Sequence, residues 1–215
     1  NILGGVHQRD GGTVEFCGRP MENITVKAAD EAGIAFVHQE LNVINDLAVY
    51  ENLFLNKEIL GPLRSLNKRE MIRQARELFE RLGVDIEPTE LVGNLDTSRK
   101  QLLEIAKALH AEAKLFILDE PTTALNTEEI EHLFGIVRRL KAAGKSFIFI
   151  SHKMPEIFEI ADRYTILRNG SFISSGRIAD ITPEEVTRLM VGEGYVNQDV
   201  YETRPLGEPI LELEG

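Results

Sequence analysis

Two solid apolar tetrapeptides, Leu115-Phe116-Ile117-Leu118 and Phe147-Ile148-Phe149-Ile150, constrain this chain more than any other feature. Neither alternates apolar with polar residues, so each reads as a strand buried on both faces. Between them Asn126 stands three residues before Glu129, and Ile130, Leu133, Phe134, Val137 and Leu140 share one helical face up to Gly144. Asparagine caps helix starts and glycine ends helices. Buried strands joined through an amphipathic helix imply a parallel sheet with helices on both faces, an α/β fold.

The rest of the chain fits around that unit. Ile34-Ala35-Phe36-Val37 is a third short apolar strand, ending in His38-Gln39-Glu40. Residues 41–95 turn helical: Asn67 precedes Glu70 in a capping-box pattern, and Ile72, Ala75, Leu78, Phe79 and Leu82 recur at helical spacing before Gly83. A further helix is predicted over 98–110, with Leu102, Ile105, Ala106 and Leu109 on one face. Ahead of these, Gly11-Gly12 is a turn and Thr13-Val14-Glu15-Phe16 alternates like an edge strand. Towards the end, Asn169-Gly170 between two alternating runs is a hairpin signal, and Thr182-Pro183-Glu184-Glu185 opens a short helix. Residues 195–206 read as polar linker, and 208–215 as a new alternating strand.

Charge and cysteine content exclude some classes. Lys+Arg 24 against Asp+Glu 35 argues against non-specific binding to nucleic acid or an anionic membrane face. The single cysteine, Cys17, forms no intrachain disulfide and reads as a small apolar strand residue. No apolar run approaches the roughly 20 residues that span a bilayer, and no secretory signal opens the chain. Residues 1–5 read as the last turn of a helix ending at glycines, with no initiator Met, so the chain is expected to be an excerpt of a longer protein.

Chemistry concentrates where the strands end, because ligands of open α/β sheets bind there. The Leu115 strand runs into Asp119-Glu120-Pro121. Adjacent acids repel and resist desolvation unless a cation or proton offsets them. Asp119 is therefore a candidate Mg²⁺ carboxylate, acting through water, and Glu120 a candidate general base for an attacking water. The same acids could instead cap a helix start. The next strand ends in Ser151-His152, where a histidine can reach a phosphate oxygen and the attacking water. His7, His38, His110 and His132 are read as structural or surface residues. Gln39 can reach Mg²⁺ or the water through its amide oxygen, or stand as a polar loop residue.

The order strand–Gln39, helical insertion, helix, strand–Asp119-Glu120-Pro121, helix, strand–Ser151-His152 resembles the ATP-binding cassette (ABC) family. Val37-His38-Gln39-Glu40 resembles its Q-loop, and residues 115–121 its Walker B strand with the following glutamate. Thr123-Ala124-Leu125-Asn126 resembles its D-loop, and Ile150-Ser151-His152 its switch histidine. The resemblance covers residues 1–193. It implies a P-loop NTPase-like, mostly parallel sheet with a helical subdomain at 41–110. It also implies ATP and Mg²⁺ as ligands, Asp119 and Gln39 at the metal, and Glu120 and His152 as catalytic residues. Phe36-Val37-His38-Gln39-Glu40-Leu41-Asn42, Glu51-Asn52-Leu53-Phe54-Leu55, Glu104-Ile105-Ala106-Lys107-Ala108-Leu109 and Leu189-Met190-Val191-Gly192 are similar to the first of two fused cassettes in simple-sugar importers of the ribose, galactoside and xylose type. That similarity implies a linker at 194–207 and the start of a second cassette at 208–215. The implied partners are that cassette, transmembrane permease subunits and, indirectly, a sugar-binding protein, with no nucleic acid. The place implied is peripheral, on the cytoplasmic face of the membrane. ATP binding would close the two cassettes and hydrolysis reopen them. Leu47-Ala48-Val49-Tyr50-Glu51-Asn52 is expected to face the membrane subunits, or simply to pack as a helix.

Two departures stand out. No run matches G-x-x-x-x-G-K-[ST], the phosphate loop, so the resemblance implies that this loop and its strands precede residue 1 and that the 215 residues alone are inactive. The family signature, near Leu-Ser-x-Gly-Gln, reads Leu95-Asp96-Thr97-Ser98-Arg99-Lys100-Gln101. In the family this loop meets the γ-phosphate held by the opposite cassette, which makes Asp96, Thr97, Ser98, Arg99 and Lys100 candidate nucleotide contacts. A carboxylate at Asp96 repels phosphate and a side chain at Ser98 crowds it, while Arg99 and Lys100 partly offset the charge. One composite site is expected to hydrolyse slowly or not at all. Asn126 replaces the D-loop aspartate yet keeps an acceptor and the helix cap. The altered signature favours a non-catalytic, regulatory cassette, which Asp119, Glu120 and His152 oppose. A soluble ABC ATPase of translation or DNA repair would carry basic surfaces or long insertions, and this acidic chain has neither.

Overall fold

In the computed structural model, which describes residues 2–38, 41–111 and 113–192 apart from the side chain of residue 63, the chain opens on a turn. Gly5 N–H donates to the Ile2 carbonyl at 3.0 Å. Its φ is +76°, and a Cβ there would fall 2.2 Å from the Thr25 carbonyl carbon, so only glycine fits. The expected edge strand shrinks to β1 (Glu15–Phe16), paired antiparallel with β2 (Arg19–Pro20). Cys17 is not a strand residue: it is exposed, in the turn between them. Cys17 and Gly18 have φ of 51° and 74°, the sign that tight hairpin turns demand at both central positions.

A short helix unforeseen in the sequence follows, α1 (Val26–Ala32), capped by the Thr25 hydroxyl, which accepts from Ala28 N–H at 3.1 Å. Then β3 (Ile34–Val37), β4 (Leu115–Asp119) and β5 (Ser146–Ile150) form one parallel sheet in that order. The register sets Val37 against Leu118 and Asp119 against Ile150, so the strands finish at one level. Alternate residues of β3 and β4 bury on opposite faces, but β5 departs from the expected two-sided burial: Phe147 and Phe149 are half-buried, while Ile148 and Ile150 are 37% and 43% exposed, their face uncovered among the described residues. Ile34 and Ile117 pack with Ile24 and Ala29, whereas Ala35, Val37, Phe116 and Leu118 pack beneath Leu133, Phe134 and Val137 of α5 (Thr127–Ala142). Full burial of a side chain such as Leu133 contributes about 1.5–3 kcal/mol. Asn126 and Glu129 complete the predicted capping box at the start of α5.

Between β3 and β4 come α2 (Val49–Leu53), α3 (Lys68–Leu82) and α4 (Thr97–His110). Asn67 caps α3, accepting from Glu70 N–H at 3.2 Å. The Glu70 carboxylate turns to Arg73 and Gln74 instead, so only half of the expected box forms. Met71 takes the buried place that the spacing gave to Ile72, which is only partly covered. On α4, Leu103 is fully buried and Leu102 and Leu109 only partly so. Tyr50, Leu53 and Phe54 meet Ala75, Phe79 and Leu103 in this second core. Asn52 staples the approach to α2: its Oδ1 accepts from Ile44 N–H at 2.8 Å, and its Nδ2 donates to the Ile44 and Ala48 carbonyls at 3.0 and 3.2 Å.

After β5 comes α6 (Met154–Ile160). The chain divides into two units between Ala161 and Asp162. The second holds the hairpin β6 (Arg163–Arg168) and β7 (Ser171–Arg177), turning at Asn169-Gly170 as predicted, and α7 (Pro183–Val191) with its Thr182–Glu185 box. The expected linker and second-cassette strand lie outside the described residues.

Candidate active site

Past Asp119 the chain turns sharply. Glu120 N–H donates to the Ile150 carbonyl at 2.9 Å, adding one bond to the β4–β5 ladder, yet Glu120 sits at φ 51°. A side chain in that region costs roughly 1–2 kcal/mol. The turn is held by Thr123, whose hydroxyl donates to the Glu120 carbonyl at 3.0 Å. From the end of β5, His152 Nδ1 reaches Glu120 Oε1 at 2.8 Å. An ionised carboxylate only accepts, so Nδ1 carries the proton. The His152 side chain is 73% exposed and that of Glu120 15%. Glu120 Oε2 is buried and accepts no hydrogen bond among the described residues. A buried carboxylate oxygen without a donor is costly, which points to a donor supplied by a bound molecule.

Asp119 stands beside this pair, half-buried, its carboxylate without a hydrogen bond or ion pair among the described residues. No three His, Cys, Asp or Glu side chains converge on a metal-sized site among the described residues. Mg²⁺ typically takes one or two carboxylates, with waters and substrate phosphates completing its shell. A free Asp119 next to an orphaned Glu120 oxygen fits that pattern. Gln39, the other expected metal contact, lies outside the described residues.

The signature residues start α4. Asp96 is its N-cap: one carboxylate oxygen accepts from Arg99 N–H at 2.8 Å, and the other lies 3.9 Å from Arg99 Nε. Thr97 is the first helical residue and Lys100 N–H donates to the Asp96 carbonyl. The Ser98 hydroxyl bonds Glu129, whose second oxygen accepts from Asn126 N–H at 2.9 Å. Ser98 and Asn126 are thus joined through Glu129, which the sequence marked only as half of the α5 capping box. Glu156 was missed. It is buried on α6, and it receives Thr122 Oγ1 at 2.7 Å and Ser151 Oγ at 3.3 Å. Its place three residues after Lys153 was the only available signal, and such spacing usually marks a surface pair.

Sheet and strand-end chemistry together define a class, the P-loop NTPase-like α/β folds. Within it, residues 1–123 match the family model described as ABC transporter, and the chain belongs to that family. It is 42% identical over 214 residues to the ribose import ATP-binding protein RbsA of Bacillus licheniformis, covering 100% of this chain and 43% of that protein. It is 38% identical over 214 residues to a putative ribose/galactose/methyl galactoside import ATP-binding protein of Agrobacterium fabrum, covering 100% of this chain and 42% of that one. The chain therefore spans less than half the length of the curated relatives it matches. Among solved structures, a nucleotide-free ATP-binding cassette from an ABC transporter superposes with a TM-score of 0.75 at 25% identity, over 90% of this chain and 82% of its own. The ADP conformation of the cassette MJ1267 gives 0.73 at 24% identity, over the same shares, and speaks to the fold alone.

Proposed function

We propose that the complete protein is the ATP-hydrolysing, energy-coupling subunit of an importer for simple sugars or related solutes. The observation that carries the chemistry is the Glu120–His152 pair with Glu120 Oε2 left free. In this reading Oε2 accepts a hydrogen bond from the attacking water and takes its proton as the γ-phosphate is attacked. His152 fixes the carboxylate by donating from Nδ1, and its exposed ring faces the phosphate. Asp119 and Gln39 would hold Mg²⁺, which when bound neutralises phosphate charge. The sugar class is supported by the relatives' names, and two cassettes per polypeptide by their length. ATP would close the cassettes and hydrolysis reopen them. The partners are permease subunits and, indirectly, a sugar-binding protein, with attachment to the membrane from the cytoplasmic side. No described helix is long and apolar enough to cross a membrane.

The geometry of Asp96 favours a refinement. Its carboxylate already occupies the N-terminus of α4, the place where an anion would otherwise be welcomed. The composite site using this signature is slow or silent in our reading. The 215 residues alone, with no G-x-x-x-x-G-K-[ST] run, turn over no ATP. The test is Glu120→Gln in the complete gene product: kcat for ATP falls about 10²–10⁴-fold with ATP binding kept. Turnover equal to wild type would sink the assignment.

A further inference from the structure

We propose that Glu156 is a positioning residue for this hydrolysis: it ties the turn carrying Glu120 to the turn carrying His152 and so sets the geometry of the pair. The proposal rests on the ATPase reading given above. The β4–β5 ladder ends at the bond from Glu120 N–H to the Ile150 carbonyl. Beyond that bond the two turns share no backbone hydrogen bond among the described residues, and side chains make the connection. Glu156 Oε2 accepts from Thr122 Oγ1, two residues past Glu120, at 2.7 Å. The same oxygen accepts from Ser151 Oγ, one residue before His152, at 3.3 Å. Lys153 Nζ lies 3.1 Å from Glu156 Oε1 and donates to the Thr122 carbonyl at 3.3 Å. Lys153 N–H donates to Ser151 Oγ at 3.1 Å. One carboxylate therefore gathers both turns.

Burial makes the arrangement consequential. Thr122 is 0% exposed and Glu156 8%. Hydrogen bonds there are stronger than in water, and a missing partner is costly. A buried acid–lysine pair is a poor way to gain stability, since apolar packing of the same volume often does as well. What apolar packing cannot supply is a fixed direction for two hydroxyls, each within two residues of a reacting side chain. Catalytic geometry is steep: a displacement of about 1 Å can cost roughly 10²-fold in rate.

The experiment uses the complete gene product and measures kcat and KM for ATP for Glu156→Leu and Glu156→Gln, each alone and with Glu120→Gln. Glu156→Leu is expected to lower kcat about 10–100-fold with KM within about twofold, because nucleotide binding does not use the pair. Glu156→Gln, which keeps an acceptor for Thr122 and Ser151, recovers most of that loss. In the Glu120→Gln background Glu156→Leu changes the residual rate less than about twofold, since no base is left to position. If Glu156→Leu does not fold, Thr122→Val decides, with a kcat loss of about 3–10-fold that also vanishes in the Glu120→Gln background. Unchanged kcat, or losses that multiply in the double variants, overturns the proposal while leaving the ATPase reading intact. A wild-type protein that hydrolyses no ATP overturns the ATPase reading, and this proposal with it.

Discussion

Replacing Asn52 with alanine tests how the helical region is held. Asn52 is 0% exposed, and its amide closes the segment 44–48 onto the start of α2. Not every lost bond counts. The Ile44 carbonyl still receives Leu47 N–H at 3.2 Å, and the Ala48 carbonyl still receives Asn52 N–H at 3.0 Å. What Asn52→Ala strands is the Ile44 N–H, at about 1–2 kcal/mol. The emptied amide volume adds about 1 kcal/mol. The sum, about 2–3 kcal/mol, shifts the urea midpoint down by about 1 M for a slope of about 2–3 kcal/mol/M. Circular dichroism at 222 nm suits the measurement, since the chain has no tryptophan and much helix. Asn52→Asp discriminates further: it keeps the acceptor for Ile44 N–H but points a carboxylate oxygen at three carbonyls, those of Ile44, Leu47 and Ala48, a buried charge without a cation. Its cost should exceed that of alanine, at about 3–5 kcal/mol. An alanine variant within about 0.5 kcal/mol of wild type, or an aspartate variant as mild as alanine, would refute the accounting.

Two further outcomes are expected. Burial, then the charges of Lys57 and Arg81, hold the His110 imidazole below its ordinary value of 6.5. The folded state thus binds fewer protons than the unfolded chain, and stability falls as pH drops through 6.5; denaturant midpoints measured from pH 8 to 5 should show that slope, flattened in His110→Gln. In the complete protein, Asp96→Ser should raise the turnover of the composite site proposed to be slow about fivefold, the worth of removing roughly 1 kcal/mol of like-charge repulsion, whereas unchanged turnover would mean the carboxylate is harmless to phosphate.

Much of this molecule is written locally. The three parallel strands sit where the unbroken apolar runs lie: β3 and β4 are buried on both faces and need no alternation, whereas β5 half-buries its phenylalanines and leaves Ile148 and Ile150 exposed. The caps at Asn67, Asn126 and Thr182 and the turn at Asn169-Gly170 are side-chain decisions made within four residues. The strand-end residues Asp119, Glu120 and His152 followed from strand placement, and the structure brings the last two into contact. What escaped depends on distant partners. Helix α1 buries only Ala29, too little to make a periodic stripe. Helix α6 buries Glu156, an acid that any hydrophobic pattern assigns to solvent. Asn52 looks like a polar helix residue until the loop it staples is seen. Ser98 finds Glu129 across 31 positions, and no spacing rule links them.

The left-handed backbone at Glu120 also bears on stability. An asparagine tolerates that conformation far better than a glutamate does, so exchanging one for the other would firm up the turn by about 1 kcal/mol while removing the proposed base. On the chemistry proposed for Glu120, stability and activity pull in opposite directions at this one position.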